Sequence, residues 1–224
     1  SDVTKLNESV TKIQEDQSLI LKKLNSIEKK IGKNSPAQAN KKKPQSDPNK
    51  VYDIAEAGSI ILGNPKAKIS IVKWTDFQWP YCARSVSLVD DILKKYPNDV
   101  KVVVKNFPLP MHKQAKKAAM YALAADKQGK YKELYKAIMA DFRKLKTNED
   151  YPLELAANLG LDVDKLKRDA SNPAIEKQID DEMAQLRNSG IPRIAVPKFL
   201  VAGKEPQGRS LDAFSAIIDA ELKK

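Results

Sequence analysis

The lone cysteine of this 224-residue chain, Cys82, ends the segment Asp76-Phe77-Gln78-Trp79-Pro80-Tyr81-Cys82. The segment follows an apolar, strand-like run, Ile69-Ser70-Ile71-Val72-Lys73-Trp74, and precedes an amphipathic helix pattern. A thiol at such a helix start meets unpaired backbone N–H groups and the positive end of the helix dipole, which favour the thiolate. Two cysteines three apart would cycle there: the first attacks and the second resolves the mixed disulfide. Here Trp79 stands three residues before the lone cysteine, so dithiol cycling within one subunit is impossible. Cys82 keeps two readings, a residual nucleophile open to mixed disulfides or glutathione capture, and a small buried apolar residue. Trp79 also keeps two: a flat apolar surface, or an engineered or relic replacement that abolishes activity. An exposed tryptophan flanked by Pro80 and Tyr81 would still hold unfolded segments through aromatic contacts. His112, the only histidine, has no nucleophile beside it and reads as a surface residue at a helix start rather than as a base. No metal-ligand cluster and no cofactor motif is present.

The elements around this segment follow from periodicity. Ile69–Trp74 and Val100–Lys105 are β-branched runs separated by a helix pattern with Val86, Val89, Ile92 and Leu93 on one side, which makes a βαβ unit. From Lys113 to Gly190 the pattern is helical almost throughout. One helix carries Ala115, Ala118, Ala119, Ala122 and Leu123, and the next carries Tyr131, Leu134, Tyr135, Ile138 and Phe142. Short helices follow at Leu153–Leu159 and after a capping Asp162. A longer one opens at Asn172-Pro173 and closes at Ser189-Gly190. Strand character returns in Lys198-Phe199-Leu200-Val201, with a Gly203 turn before a possible second hairpin strand. A last helix runs from a Ser210 cap through Leu211, Phe214, Ile217, Ile218 and Leu222. The expected order is βαβ, a helical block, then ββα.

Ahead of this domain, Val3, Leu6, Val10, Ile13, Gln17, Ile20, Leu24, Ile27 and Ile31 alternate steps of three and four, a heptad seam with isoleucine prominent at d. Isoleucine at d disfavours parallel dimers, so residues 1–31 are expected to be a coiled-coil helix that assembles a homotrimer, with a dimer or tetramer as the other outcomes. The alternative is one amphipathic helix packed on its own domain. Residues 32–50 lose the periodicity, hold three prolines and read as a flexible linker, leaving 51–224 as the globular domain. The net charge is +11, but residues 1–50 hold 11 lysines against 6 acidic residues, and the remainder holds 29 basic against 23 acidic. That part is only mildly basic and carries no nucleic-acid motif, so no nucleic-acid partner is expected. No apolar run is long enough to span a bilayer. The chain begins at Ser1, which fits a secretion signal already removed.

The segments Leu62-Gly63-Asn64-Pro65-Lys66-Ala67, Asp76–Cys82, Asn106-Phe107-Pro108-Leu109-Pro110-Met111-His112 and Val196-Pro197-Lys198-Phe199 together resemble the DsbA family of bacterial thiol-disulfide oxidoreductases, including its Com1-like and suppressor-of-copper-sensitivity branches. The resemblance covers about residues 51–222 and departs at Trp79, where the family has its attacking cysteine, and in the loop Gly190–Val196. It implies an α/β, thioredoxin-like fold with a helical insertion at about 113–190. It places Cys82 at the buried, resolving position and Pro197 at a cis-proline whose neighbour Val196 pairs with extended peptides beside Pro80 and Tyr81. It also implies a periplasmic or otherwise exported home and unfolded or misoxidised exported proteins as partners. Stalked trimeric members of the copper-sensitivity branch act as isomerases, which fits the heptads. Three functions stay open: an isomerase-type protein inactive in this form, a redox-independent chaperone or peptide-binding module using the same cleft, and a monothiol reductase working through Cys82.

Overall fold

The protein, seen in a computed structural model, is described over residues 2–34 and 47–224. The chain separates into two units, Ser1–Pro44 and Gln45–Lys224. In the first, helix α1 spans Asp2–Asn34. Along it Val10, Ile13, Ile20, Leu24 and Ile27 are 46–57% exposed, so within its own unit this stripe is uncovered among the described residues. The heptad positions Val3, Leu6 and Ile31 fall among residues whose side chains are not described. Most of the expected linker, residues 35–46, also lies outside the described residues.

The second unit is built on four strands, β1 (Ile60–Gly63), β2 (Ile69–Thr75), β3 (Val100–Asn106) and β4 (Lys198–Val201), in the order β1-β3-β2-β4. β2 and β3 are parallel, with Ile71 opposite Val102 and Trp74 opposite Lys105; β1 and β4 flank them antiparallel. Both central strands are buried almost end to end, which is why they read as near-continuous apolar runs rather than alternating ones. The crossover between them is helix α2 (Pro80–Lys95). Five helices separate β3 from β4: α3 (Ala115–Asp126), α4 (Tyr131–Ala140), α5 (Tyr151–Asn158), α6 (Val163–Ala170) and α7 (Pro173–Asn188). α3 packs against the other four, its alanine-rich face allowing close approach, and α7 packs on β3. The carboxy-terminal α8 (Leu211–Leu222) lies against α2 and β4. The expected caps form: Asp162, Asn172 and Ser210 each accept a backbone N–H from the first turn of their helices.

Three expectations change. The strand β1 is additional: its four residues give too short a pattern to stand out, and it exists through pairing with Lys101–Val104. The second hairpin strand after Gly203 shrinks to a single bridge between Val201 and Lys204. Ala202 and Gly203 turn the chain with positive φ (47° and 78°), and Tyr52 N–H takes the Gly203 carbonyl at 2.8 Å. A Cβ on Gly203 would meet Tyr52 O at 2.9 Å, and Pro206 then withholds a ladder donor. The observed order is therefore ββαβ, five helices, βα. Phe142, expected to end the fourth helix, instead opens a separate 3-10 turn, Phe142–Lys146, after Asp141 leaves helical geometry (φ −132°, ψ 38°). No helix among the described residues is long and apolar enough to cross a membrane.

Candidate functional site at the amino terminus of α2

The four residues between β2 and α2 are organised by one buried carboxylate. Asp76 is 1% exposed. Its Oδ1 accepts the Gln78 N–H at 2.6 Å; its Oδ2 accepts the Leu109 N–H at 2.7 Å and lies 2.9 Å from His112 Nδ1. Gln78 Oε1 in turn accepts the Gln114 N–H at 2.6 Å. An Asp two residues ahead of its acceptor-seeking amide is the geometry of an Asx turn, which ends the strand and aims the next residues into a helix. The loops ahead of α2 and α3 are thereby tied together.

Trp79 is the N-cap residue of α2 (φ −89°, ψ 121°) with no side-chain cap bond, and Pro80 fills the first helical position, where its missing N–H costs nothing. The Trp79 indole is half-buried rather than exposed. Its ring centroid lies 5.4 Å from that of His112 and 5.3 Å from that of Tyr81, and the Arg84 guanidinium sits 4.3 Å over the Tyr81 ring. Four side chains thus form a row across the helix start. His112 is consequently not the free surface residue expected. Its side chain is 16% exposed, held by Asp76 on one side and Trp79 on the other, because the loop Phe107–Gln114 folds back over the α2 turn.

One helical turn further in, Cys82 is fully buried. Its Sγ accepts the Asp76 N–H at 3.3 Å. Burial pushes the thiol up to about 11, against the opposing pull of the Asp76 amide and the Lys73 charge. Such a thiol is protonated at neutral pH and hidden from solvent. Lys73, on β2, is also fully buried; its Nζ donates to Tyr135 Oη at 2.7 Å and lies 5.4 Å over that ring. Burial pushes this amine down to about 8, and burial likewise raises the Tyr135 phenol.

Val196 and Pro197 are both buried, joined by a cis peptide bond, and the Pro197 carbonyl accepts the Arg209 guanidinium at 3.0 Å. Pro197 lines a recess of about 290 Å³ with Phe199, Pro206 and Arg209. Trp79 and Pro80 line another cleft, of about 720 Å³, with Met111, His112 and Phe142. The structure therefore brings Trp79, Pro80, Tyr81 and His112 to one surface and puts Cys82 beneath it. Among the described residues no cluster of His, Cys, Asp and Glu is placed to hold a metal ion.

Sequence reasoning does not single out Asp76, Lys73, Tyr135, Met111 or Phe142. Two of them leave a local signal: a lysine inside an apolar strand run, and an Asp two residues before Gln78 at a strand-to-helix turn. The others reach the site only through long-range packing.

A family model described as thioredoxin matches residues 55–220. Among curated proteins, a Na(+)/H(+) antiporter NhaA from Herminiimonas arsenicoxydans is 30% identical over 165 residues, covering 73% of this chain and 25% of that protein. The chain spans about a quarter of the length of the curated relatives it matches. Among solved structures, a thioredoxin-like oxidoreductase from Silicibacter pomeroyi is 29% identical with a TM-score of 0.64, covering 74% of this chain and 93% of that one. Two further neighbours share the fold. Wolbachia pipientis alpha-DsbA1 is 20% identical, with coverage of 75% and 92% and a TM-score of 0.64. A Proteus mirabilis ScsC linker-deletion variant is 22% identical, with coverage of 74% and 74% and a TM-score of 0.60. With three-quarters of its length matched in this way and a four-stranded sheet carrying the strand–turn–helix site, the chain belongs to the thioredoxin family.

Proposed function

We propose that this chain is a redox-silent form of an exported, isomerase-type disulfide-interchange protein, related to the suppressor-of-copper-sensitivity branch and assembled through α1 as a homotrimer in the periplasm. One observation carries the redox silence: Trp79 stands at the N-cap of α2, and Cys82, the only thiol, is buried with its sulfur bonded to the Asp76 amide. Disulfide exchange needs an accessible thiolate, and neither residue supplies one. The half-exposed stripe on α1, with isoleucine at d, supports assembly.

The test is reactivation of scrambled ribonuclease by the chain and by its Trp79→Cys variant. Activity of the variant alone is expected, since the new thiol would lie at a helix start that favours its ionisation. A folded Trp79→Cys protein that still fails to shuffle disulfides would sink the disulfide-interchange reading. For the assembly, sedimentation equilibrium should give three chains, falling to one when residues 1–34 are removed; a monomeric full chain rejects it.

A second reading is favoured by the aromatic row itself. Trp79, Tyr81 and His112 are fixed in place without any reactive group between them, which suits a redox-independent chaperone or peptide-binding module. It requires that the chain suppress aggregation of an unfolded client and that Trp79→Ala weaken the effect; undiminished suppression removes the cleft from the account. The monothiol reading is disfavoured by the buried Cys82.

A further inference from the structure

The cleft beside Trp79 is bounded by three segments: Trp79 and Pro80 from the start of α2, Met111 to Lys113 from the loop ahead of α3, and Phe142 to Lys146 from the 3-10 turn. Its apolar groups are large and accessible. Met111 is 72% exposed, and Trp79, Pro80 and Phe142 are half-buried. Its charged groups are all of one sign: Lys113, Arg143 and Lys146 line it, and no carboxylate does. Twelve lysines of the domain hold ion pairs with Asp or Glu; Lys113 and Lys146 belong to those that hold none among the described residues. Arg143 lies 5.0 Å over the Phe142 ring, which orients its guanidinium at the rim. The nearest buried carboxylate, Asp76, is already taken up by the Gln78 and Leu109 amides and His112.

An apolar floor with an unpaired cationic rim is complementary to an apolar side chain next to anions, with the rim charges setting selection and encounter more than total affinity. The Trp79 indole N–H, without an acceptor among the described residues, adds a donor for a main-chain carbonyl. Such a set of partners is met together in a polypeptide. Resting on the peptide-binding reading above, we infer that this cleft selects unfolded polypeptide segments in which an aromatic or aliphatic residue adjoins acidic residues.

The test uses the full chain and labelled Gly/Ser-based nonapeptides with Phe-Glu-Glu, Phe-Lys-Lys, Phe-Ser-Ser or Ser-Glu-Glu at the centre, read by fluorescence anisotropy. Phe-Glu-Glu should bind tightest and weaken as salt rises, because a partly exposed rim is screened. The double variant Lys113→Glu/Lys146→Glu changes two exposed side chains without ion pairs, so its thermal midpoint should stay put while Phe-Glu-Glu binding falls roughly tenfold and Phe-Lys-Lys becomes the better ligand. Equal binding of all Phe peptides, unchanged by the double variant, overturns the selectivity yet leaves peptide binding standing. Absence of binding by every peptide overturns both. Binding of the chain to phosphatidylglycerol vesicles, lost in the double variant, with no peptide bound, would assign the rim to a lipid surface instead and also overturns the inference.

Discussion

The start of α2 has two levels that differ in everything except their distance along the chain. Above the turn, Trp79, Tyr81, Arg84 and His112 form a row at the surface and none of them can attack a disulfide. Below it, Cys82, Lys73 and Tyr135 are the groups with chemistry to offer, and all three are sealed from solvent. Burial that would have to be relieved for reaction is what shifts both the thiol and the amine toward their neutral forms. Asp76 lies between the levels and holds both, giving its carboxylate to the upper loop and its amide to the Cys82 sulfur. The difference teaches that contact and reactivity have been separated by a single helical turn, and each level can be perturbed alone.

The largest effect should come from cutting the tie. Asp76→Ala strands the Gln78 and Leu109 amides in a half-buried turn and empties a buried site, so urea unfolding should show a loss of about 3 kcal/mol. A loss under about 1 kcal/mol would mean that the turn is held by something else.

The next effect lies in the lower level and depends on pH. Lys73 has a folded pKa of about 8 against 10.5 when unfolded, so between those values the unfolded chain binds more protons and stability rises with pH. At neutral pH the buried ammonium withholds up to about 3 kcal/mol. Cys82 works the opposite way: its thiol, raised from 9.0 to about 11, makes stability fall over that range. The Lys73 contribution is therefore cleanest between pH 8 and 9. Lys73→Met should raise stability at pH 7 by about 2 kcal/mol, reduced from the maximum because Tyr135 Oη loses its partner, and should remove the upward slope. A destabilised Lys73→Met protein with the slope intact would refute the assignment.

Cys82→Ala should cost about 1 to 2 kcal/mol, through the small void it leaves. In the same level, native Cys82 should resist a disulfide reagent at pH 7 and react fully in denaturant; fast native labelling would reopen the monothiol role. The smallest effect belongs to the upper level. His112→Gln keeps a polar group facing Asp76 and should change stability by less than about 1 kcal/mol while shifting the Trp79 emission, since the tilted ring beside it is gone. An unchanged spectrum would break the row.

Much of the scaffold can be read locally. Ile69–Thr75 and Val100–Asn106 announce themselves as β-branched runs, and Asp162, Asn172 and Ser210 cap the helices they precede because the capping bond spans only two or three residues. β1 does not announce itself, because four residues carry too little pattern and its partners lie some forty positions away. The same holds within the site. Trp79 and Cys82 stand out by type and spacing. Lys73 looks like an interruption in a strand until Tyr135, 62 residues later, is found against it. His112 looks like a surface residue until Asp76, 36 residues earlier, claims its ring.

What the sequence by itself determined is therefore the set of possibilities at α2: with tryptophan in the first position and one cysteine in the chain, a dithiol cycle has no second sulfur. Periodicity and caps, which act over a few residues, also determined most of the strands and helices. Only the tertiary structure decided that Cys82 is sealed beneath Asp76, that His112 belongs to the site, and that Phe142, Met111 and three cations enclose a cleft around Trp79. The last two of those facts depend on segments about thirty or more residues apart meeting at one helix end, and such a meeting is set by packing of the whole core rather than by any local preference.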